Sequence, residues 1–311
     1  MTDESERSDG EGGRGMTAGS EGADGEGPPR DRAEPPPRGV TVVVITRDRW
    51  PDLQTSLPRH DMPVILVDNG SADGTPDLVR RSFPHVTVVE LGENRGAVAR
   101  NVGVDLAETA YVAFADDDSW WAPGSLTCAV QLLDAHPRLA VLAGRMLVGE
   151  AACLDPVCTL MAESPLGREV DLPGPSVLGF VACGAVVRRT AYLQTGGFDP
   201  VIFFMGEEER LALDLAALGW GLAYVDQVVA HHHPSPARNP RERTVRSARN
   251  RLLTTVLRRP VSVVAATAGR TIRSGASGRA GVLAAIPRLP AALRGRRSLP
   301  AHVEAARRRL D

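Results

Sequence analysis

The chain has 311 residues, 43% hydrophobic and 4% aromatic, with 38 acidic and 36 basic side chains for a formal charge of −2. That is length enough for one large domain or two small ones around a sizeable core, in the range of an ordinary soluble α/β protein. The near-neutral total hides a polarity: residues 1–38 carry −5, residues 39–237 carry −12 and residues 238–311 carry +15, every basic residue being Arg. An acidic middle excludes nucleic acid as the main domain's ligand, while the basic end suits anionic lipid or another acidic surface.

Residues 1–38 are rich in Gly, Glu, Asp, Arg, Ser and Pro and hold almost nothing apolar, so they are expected to form a disordered acidic tail. Val40 to Ile45 is a β-branched run of the kind buried on both faces of a parallel sheet, and it ends at Thr46. A second run, Val64 to Val67, ends at Asp68-Asn69-Gly70-Ser71, after which Thr75-Pro76 reads as the start of a helix. A third, Val86 to Leu91, precedes Gly92-Glu93-Asn94-Arg95-Gly96 and a helix over Ala97 to Leu106. The fourth, Tyr111 to Ala115, stops at Asp116, Asp117 and Asp118.

Strands alternating with helices predict a doubly wound, mostly parallel sheet, whose ligands bind in a crevice beyond the C-terminal strand ends. The polar residues closing all four strands then crowd one edge. Three adjacent carboxylates repel one another and call for a cation, and hard divalent ions such as Mg²⁺ or Mn²⁺ prefer oxygen ligands. Strand alternation puts Asp116 and Asp118 on one side and Asp117 on the other.

Further on, Pro123 to His136 reads as a helix, Leu139 to Gly144 as a strand, and Glu150 to Pro175 as loop. Val177 to Arg188 reads as a strand with a small Cys183-Gly184-Ala185 centre. A helix over Glu207 to Leu218 carries Glu207, Glu208 and Glu209 in its first turn, where the helix dipole favours negative charge. A strand from Gly221 to Val225 leads to His231, His232 and His233. Residues 241–259 read as a basic helix with Leu252, Leu253, Val256 and Leu257 interleaved, and residues 261–310 as helical pieces broken by Gly, Pro and Arg. Cys128, Cys153, Cys158 and Cys183 lack the spacing of a zinc site or a disulfide framework. No stretch has the length of a membrane span and the N-terminus has no apolar signal core, which points to a cytoplasmic protein.

Taken together, VTVVVIT, VDNGSADGT, ENRGAVARNVG, FADDDSWWAPG, GGFDP, GEEERLALDLAALGW and HHHPS resemble, in order and spacing, the inverting family 2 glycosyltransferases with the GT-A fold. The resemblance covers about residues 40–236 and implies a GT-A domain over 39–237, followed by a basic helical extension over 238–311. It implies a nucleotide-sugar donor and transfer to an acceptor hydroxyl with inversion. Thr46 and Asp68 or Asn69 are then expected to hold base and ribose, Arg95 and Arg100 the nucleotide or its phosphates, and Asp116 or Asp117 the ribose. Asp118 binds a divalent ion, with Asp116 and one of the three histidines beside it; the expected metal set is Asp118, Asp116 and His233. Glu208 stands where the family has its catalytic Asp, with Glu207 adjacent, and Arg210 stands where an acid is common. Trp120, Trp121 and Trp220 read either as sugar platforms or as core. The acceptor is expected to be a glycan, a lipid-linked sugar or a small molecule, the last helices lying at the inner membrane face or packing on the catalytic domain. Two other readings fit parts of the pattern: a nucleotide-sugar binding module without turnover, and a sugar-phosphate nucleotidyltransferase.

Overall fold

A computed structural model describes residues 39–234 and 240–311; the expected acidic tail lies outside the described residues. In chain order, β1 (Val40–Thr46), α1 (Trp50–Ser56), β2 (Val64–Asp68), α2 (Thr75–Ser82), β3 (Thr87–Glu90), α3 (Ala99–Leu106) and β4 (Tyr111–Asp116) build the first half of a sheet. Then follow β5 (Ser119–Trp121), α4 (Ser125–Ala135), β6 (Leu139–Val148), β7 (Cys153–Leu154), α5 (Pro156–Ala162), β8 (Ala185–Arg188), α6 (Arg189–Gln194), α7 (Glu207–Ala217) and β9 (Gly221–His232). The chain closes with α8 (Pro240–Arg258), α9 (Val261–Arg273), α10 (Ala276–Ala285), α11 (Leu289–Arg294) and α12 (Ala301–Arg308).

The strands form one sheet in the order β3-β2-β1-β4-β8-β6-β9-β5, with β7 paired to β6. The first four run parallel, whereas β8 enters antiparallel to both β4 and β6. Alternate residues of β1 face opposite layers: Val43 and Ile45 pack with α3 and α7, and Val40, Val42 and Val44 with α1 and α4. Burial on both faces is why β1 is apolar throughout. Helix α3 approaches β1 so closely that a Cβ on Gly103 would lie 2.4 Å from Val43.

The parallel register fixes the edge where function can sit. Thr46 pairs with Asp68, Ile45 with Asp116, and Asp68 with Glu90, so the polar strand ends are level with one another. Two expectations change. Residues 177–181 form no strand; the chain makes a 3₁₀ turn over Ala182–Gly184, lifting Val181 to Cys183 to the strand-end edge before β8 begins. Strand β9 runs unbroken from Gly221 to His232, because β6 on one side and β5 on the other extend it.

Helices α8, α10 and α11 share a small core of Leu252, Leu253, Val256, Leu257, Ala285 and Ala292 with Ile202, which precedes α7. Arg258 donates to Asp214 of α7 at 2.9 Å, and Arg307 of α12 pairs with Glu209 at 2.8 Å. The basic helices thus pack onto the sheet domain, within one unit spanning Pro36–Asp311. No described helix is long and apolar enough to cross a membrane.

Candidate active site

At the strand ends lies an open cavity of about 620 Å³. It is lined by the ends of β1 and β2 with Thr46, Arg47 and Asn69, by Asp116 to Asp118, and by Phe203 to Glu208 with the first turns of α8.

The acidic floor is a turn rather than a continued strand. Strand β4 ends at Asp116 and the chain reverses into β5, so alternation stops and all three carboxylates line the cavity. This corrects the expected split of Asp117 from its neighbours. Thr46 donates to Asp117 at 3.2 Å, and Ser56 donates to its carbonyl at 2.7 Å. Burial, with repulsion from Asp118 and Asp116, holds the Asp117 carboxyl well above the usual range.

Asp116 is paired with Arg100, whose side chain is 2% exposed and whose other arm lies 3.6 Å from Glu207. Burial alone would favour a neutral guanidinium; Asp116, Glu207 and Glu208 reverse that and raise its pKa. Arg100 lines the cavity and there ties the floor to α7. Arg95 is corrected: its side chain points to solvent and bonds Glu93 at 2.9 Å, away from the cavity. Asp68 likewise is consumed locally, accepting from the backbone of Gly70 at 3.1 Å and Ser71 at 2.9 Å. Asn69 remains on the wall, donating to the Gly96 carbonyl and accepting from the Arg95 backbone. The left-handed φ of 62° at Gly96 is a position for Gly, where a Cβ would meet the Phe203 carbonyl at 2.3 Å.

The histidine that reaches the acids is His232, its Nε2 3.3 Å from Asp118. Period-2 alternation along the strand explains the correction from His233. His231 stacks on Trp120 at 5.5 Å between ring centres, and His233 packs tilted against the same ring at 4.6 Å. Ligand atoms of Asp116, Cys183 and His232 lie within 4.8 Å of one another, and Asp118 adds a second carboxylate 3.3 Å from His232. Carboxylate, imidazole and thiol are all donors that divalent cations accept. Burial raises the Cys183 thiol well above its ordinary pKa, so it stands there as a neutral thiol.

Glu207 and Glu208 occupy the first turn of α7, after Gly206 at φ 82°. Glu208 accepts from the Ala182 backbone N–H at 3.3 Å, a bond made possible by the turn that replaced the expected strand. Both carboxyls have raised pKa values: burial is the main cause for each, Glu208 adds to it for Glu207, and Arg100 works against it. Burial thereby outweighs the helix dipole. Arg210 turns away, to Asp214 at 3.0 Å and the Gly197 carbonyl at 2.6 Å, where it ties α7 to the preceding loop.

Sequence reasoning missed the wall formed by Phe203 to Met205. Phe203 and Met205 have φ of 70° and 73°, strained for side chains of their size. The segment is held from two sides: Ala97 donates to the Phe203 carbonyl at 2.7 Å, and Asn250 of α8 donates to the Phe204 and Met205 carbonyls, both at 2.6 Å. No local signal couples Asn250 to residues 45 positions earlier. Trp121 is core, while Trp120 and Trp220 lie outside the cavity.

The family described as Glycosyl transferase family 2 matches residues 41–195. An N-acetylglucosaminyl-diphospho-decaprenol L-rhamnosyltransferase of Mycobacterium tuberculosis is 28% identical over 65% of this chain and 78% of its own length. A pre-mycofactocin glycosyltransferase of the same species is 32% identical over 68% of this chain, which spans 46% of that protein. The mannosyltransferase PcManGT of Pyrobaculum calidifontis, solved with GDP-Man and Mn²⁺, aligns with a TM-score of 0.56 and 26% identity over 83% of this chain and 74% of its own. TarS of S. aureus shares the fold, with a TM-score of 0.52 and 17% identity over 70% of this chain and 66% of its own.

Proposed function

The chain belongs to glycosyl transferase family 2 and has the GT-A fold, and from that premise we propose that it moves one sugar from a nucleoside-diphosphate donor to an acceptor hydroxyl in a single, inverting displacement. The observation that carries the reading is the meeting, in one cavity, of Asp116 to Asp118, His232 and the Glu207–Glu208 pair. Asn69 and Thr46 form the wall for the base and ribose, and Asp117 offers a carboxyl to the ribose hydroxyls. Asp118, Asp116 and His232 would hold a divalent ion, Mg²⁺ or Mn²⁺, which would supply Lewis-acid stabilisation to a departing diphosphate; the Mn²⁺ bound in PcManGT supports that choice.

Glu208 removes the acceptor's proton. A general base works best with a pKa close to the working pH, and the raised pKa of Glu208 moves it in that direction. The Ala182 N–H fixes its orientation. Glu207, held between Glu208 and Arg100, transmits the position of α7 to the floor. The rhamnosyltransferase relative acts, by its name, on a diphospho-decaprenol-linked sugar, and we extend that class of acceptor to this protein, working at the inner membrane face.

The test is a thermal-shift screen of nucleoside diphosphates and nucleotide sugars with and without Mn²⁺, on wild type and Asp118→Ala. A ligand at a hundred times its Kd adds about 2.7 kcal/mol of stability. A Mn²⁺-dependent shift abolished by the substitution supports the donor site; no shift with any nucleotide sinks it. Donor consumption that disappears in Glu208→Gln separates turnover from binding alone.

A further inference from the structure

Helix α8 closes the cavity from outside the sheet, and its inner face is cationic. Arg243, Arg246 and Asn250 recur at helical spacing, so they share one face. Asn250 grips the Phe204 and Met205 carbonyls, directly ahead of Glu207 and Glu208, while Arg243 and Arg246 line the cavity itself. Through Asn250 the two arginines therefore stand on the helix that holds the segment leading into the proposed base.

The other cavity arginines already have anions. Arg100 has Asp116 and Glu207, Arg47 lies 3.5 Å from Asp48, and Arg49 lies 3.5 Å from Asp52. Among the described residues no carboxylate pairs with Arg243 or Arg246, although Glu242 borders the same mouth. Behind them the positive charge continues. Arg249 and Arg288 spend their donors on the neutral carbonyls of Ile202, Pro200 and Val201. Burial first, then repulsion from Arg288 and Arg246, lowers Arg249 to about 10. Like charges crowded in this way favour an anion arriving from outside.

The geometry points to a second anion subsite, in which Arg243 and Arg246 receive a phosphate or diphosphate ester carried by the acceptor and so hold its hydroxyl at Glu208. This rests on the glycosyl-transfer reading above and deepens it by assigning two residues of α8 to the acceptor's phosphate. Guanidinium groups pair with phosphate oxygens through two parallel hydrogen bonds, which fixes direction as well as distance. Arg243 is exposed and Arg246 half-buried, and neither belongs to the hydrophobic core, so their substitution leaves the core intact.

The experiment is equilibrium titration of the full chain, followed by tryptophan fluorescence, comparing wild type with R243Q/R246Q. The probes are farnesyl diphosphate, inorganic pyrophosphate, GDP and UDP with Mn²⁺, and phosphatidylglycerol vesicles. The expected result is at least a tenfold rise in the Kd for farnesyl diphosphate with unchanged nucleoside diphosphate affinity. Wild type that ignores farnesyl diphosphate, or a double variant that binds it within twofold of wild type, overturns the proposal. Parallel loss of nucleoside diphosphate binding also overturns it by assigning the arginines to the donor. Pyrophosphate binding as tight as the prenyl ester assigns the site to the free anion, and loss confined to the vesicles assigns it to the membrane surface; either result rejects an acceptor subsite. If wild type binds farnesyl diphosphate but neither nucleotide, the glycosyl-transfer reading is what fails.

Discussion

Single residues decide the chemistry proposed here, and two substitutions test it sharply. Glu208→Gln keeps the size and the Ala182 contact but cannot take a proton, so kcat should fall by about 10²- to 10⁴-fold with nucleoside diphosphate affinity retained. The pH dependence has a defined sign. Glu208 acts ionised, its pKa in the fold is raised, and activity should therefore decline on acidification through a limb above the ordinary carboxylate value of about 4.3. A limb at or below that value removes the argument from burial. His232→Ala should weaken Mn²⁺ binding, read by the paramagnetic resonance of free Mn²⁺, while His233→Ala should not; equal losses would return the ligand to the other face of β9. The sequence made the acidic triplet, the Glu pair and the histidine run visible as residue types. It could not choose within them, because β4 turns at Asp117 while β9 stays extended to His232, and only the paired strands decide where each alternation starts and stops.

Elements set where these residues stand. The segment from Phe203 to Met205 pairs strained backbone with anchors from Ala97 and Asn250, and Glu207 follows within two residues. Asn250→Ala leaves two half-buried carbonyls without that donor, at a cost of about 1–3 kcal/mol. Its kcat should drop while Mn²⁺-dependent nucleotide binding stays, and protease should cut between residues 203 and 206 faster than in wild type. Unchanged cleavage and turnover would show that the Ala97 contact suffices. The helix and strand ends that position the floor were legible beforehand, since β-branched runs stopping at polar residues are a local signal. The turn at Ala182 was not, because its hydrogen-bond acceptor is Glu208, on another element.

At the scale of the whole molecule, the +15 segment is not a detached tail. Its helices bury Leu253 and Leu257 with Ile202, and Arg258 and Arg307 meet acids of α7. Leu257→Ala should therefore cost about 2–5 kcal/mol, and calorimetry should show one transition moving to lower temperature, with nucleotide binding lost in step. Two separated transitions would instead make the helical extension an independent unit. Sequence alone determined the parallel half of the sheet, the polar strand ends and the family resemblance, since all of these are written in contiguous runs and short spacings. Tertiary structure alone decided that Arg100 meets Asp116 and Glu207, that Asp68 serves its own loop, and that α8 brings Arg243 and Arg246 to the cavity. Those outcomes depend on which distant groups compete for each charge and hydrogen bond, and that competition exists only after the chain has packed.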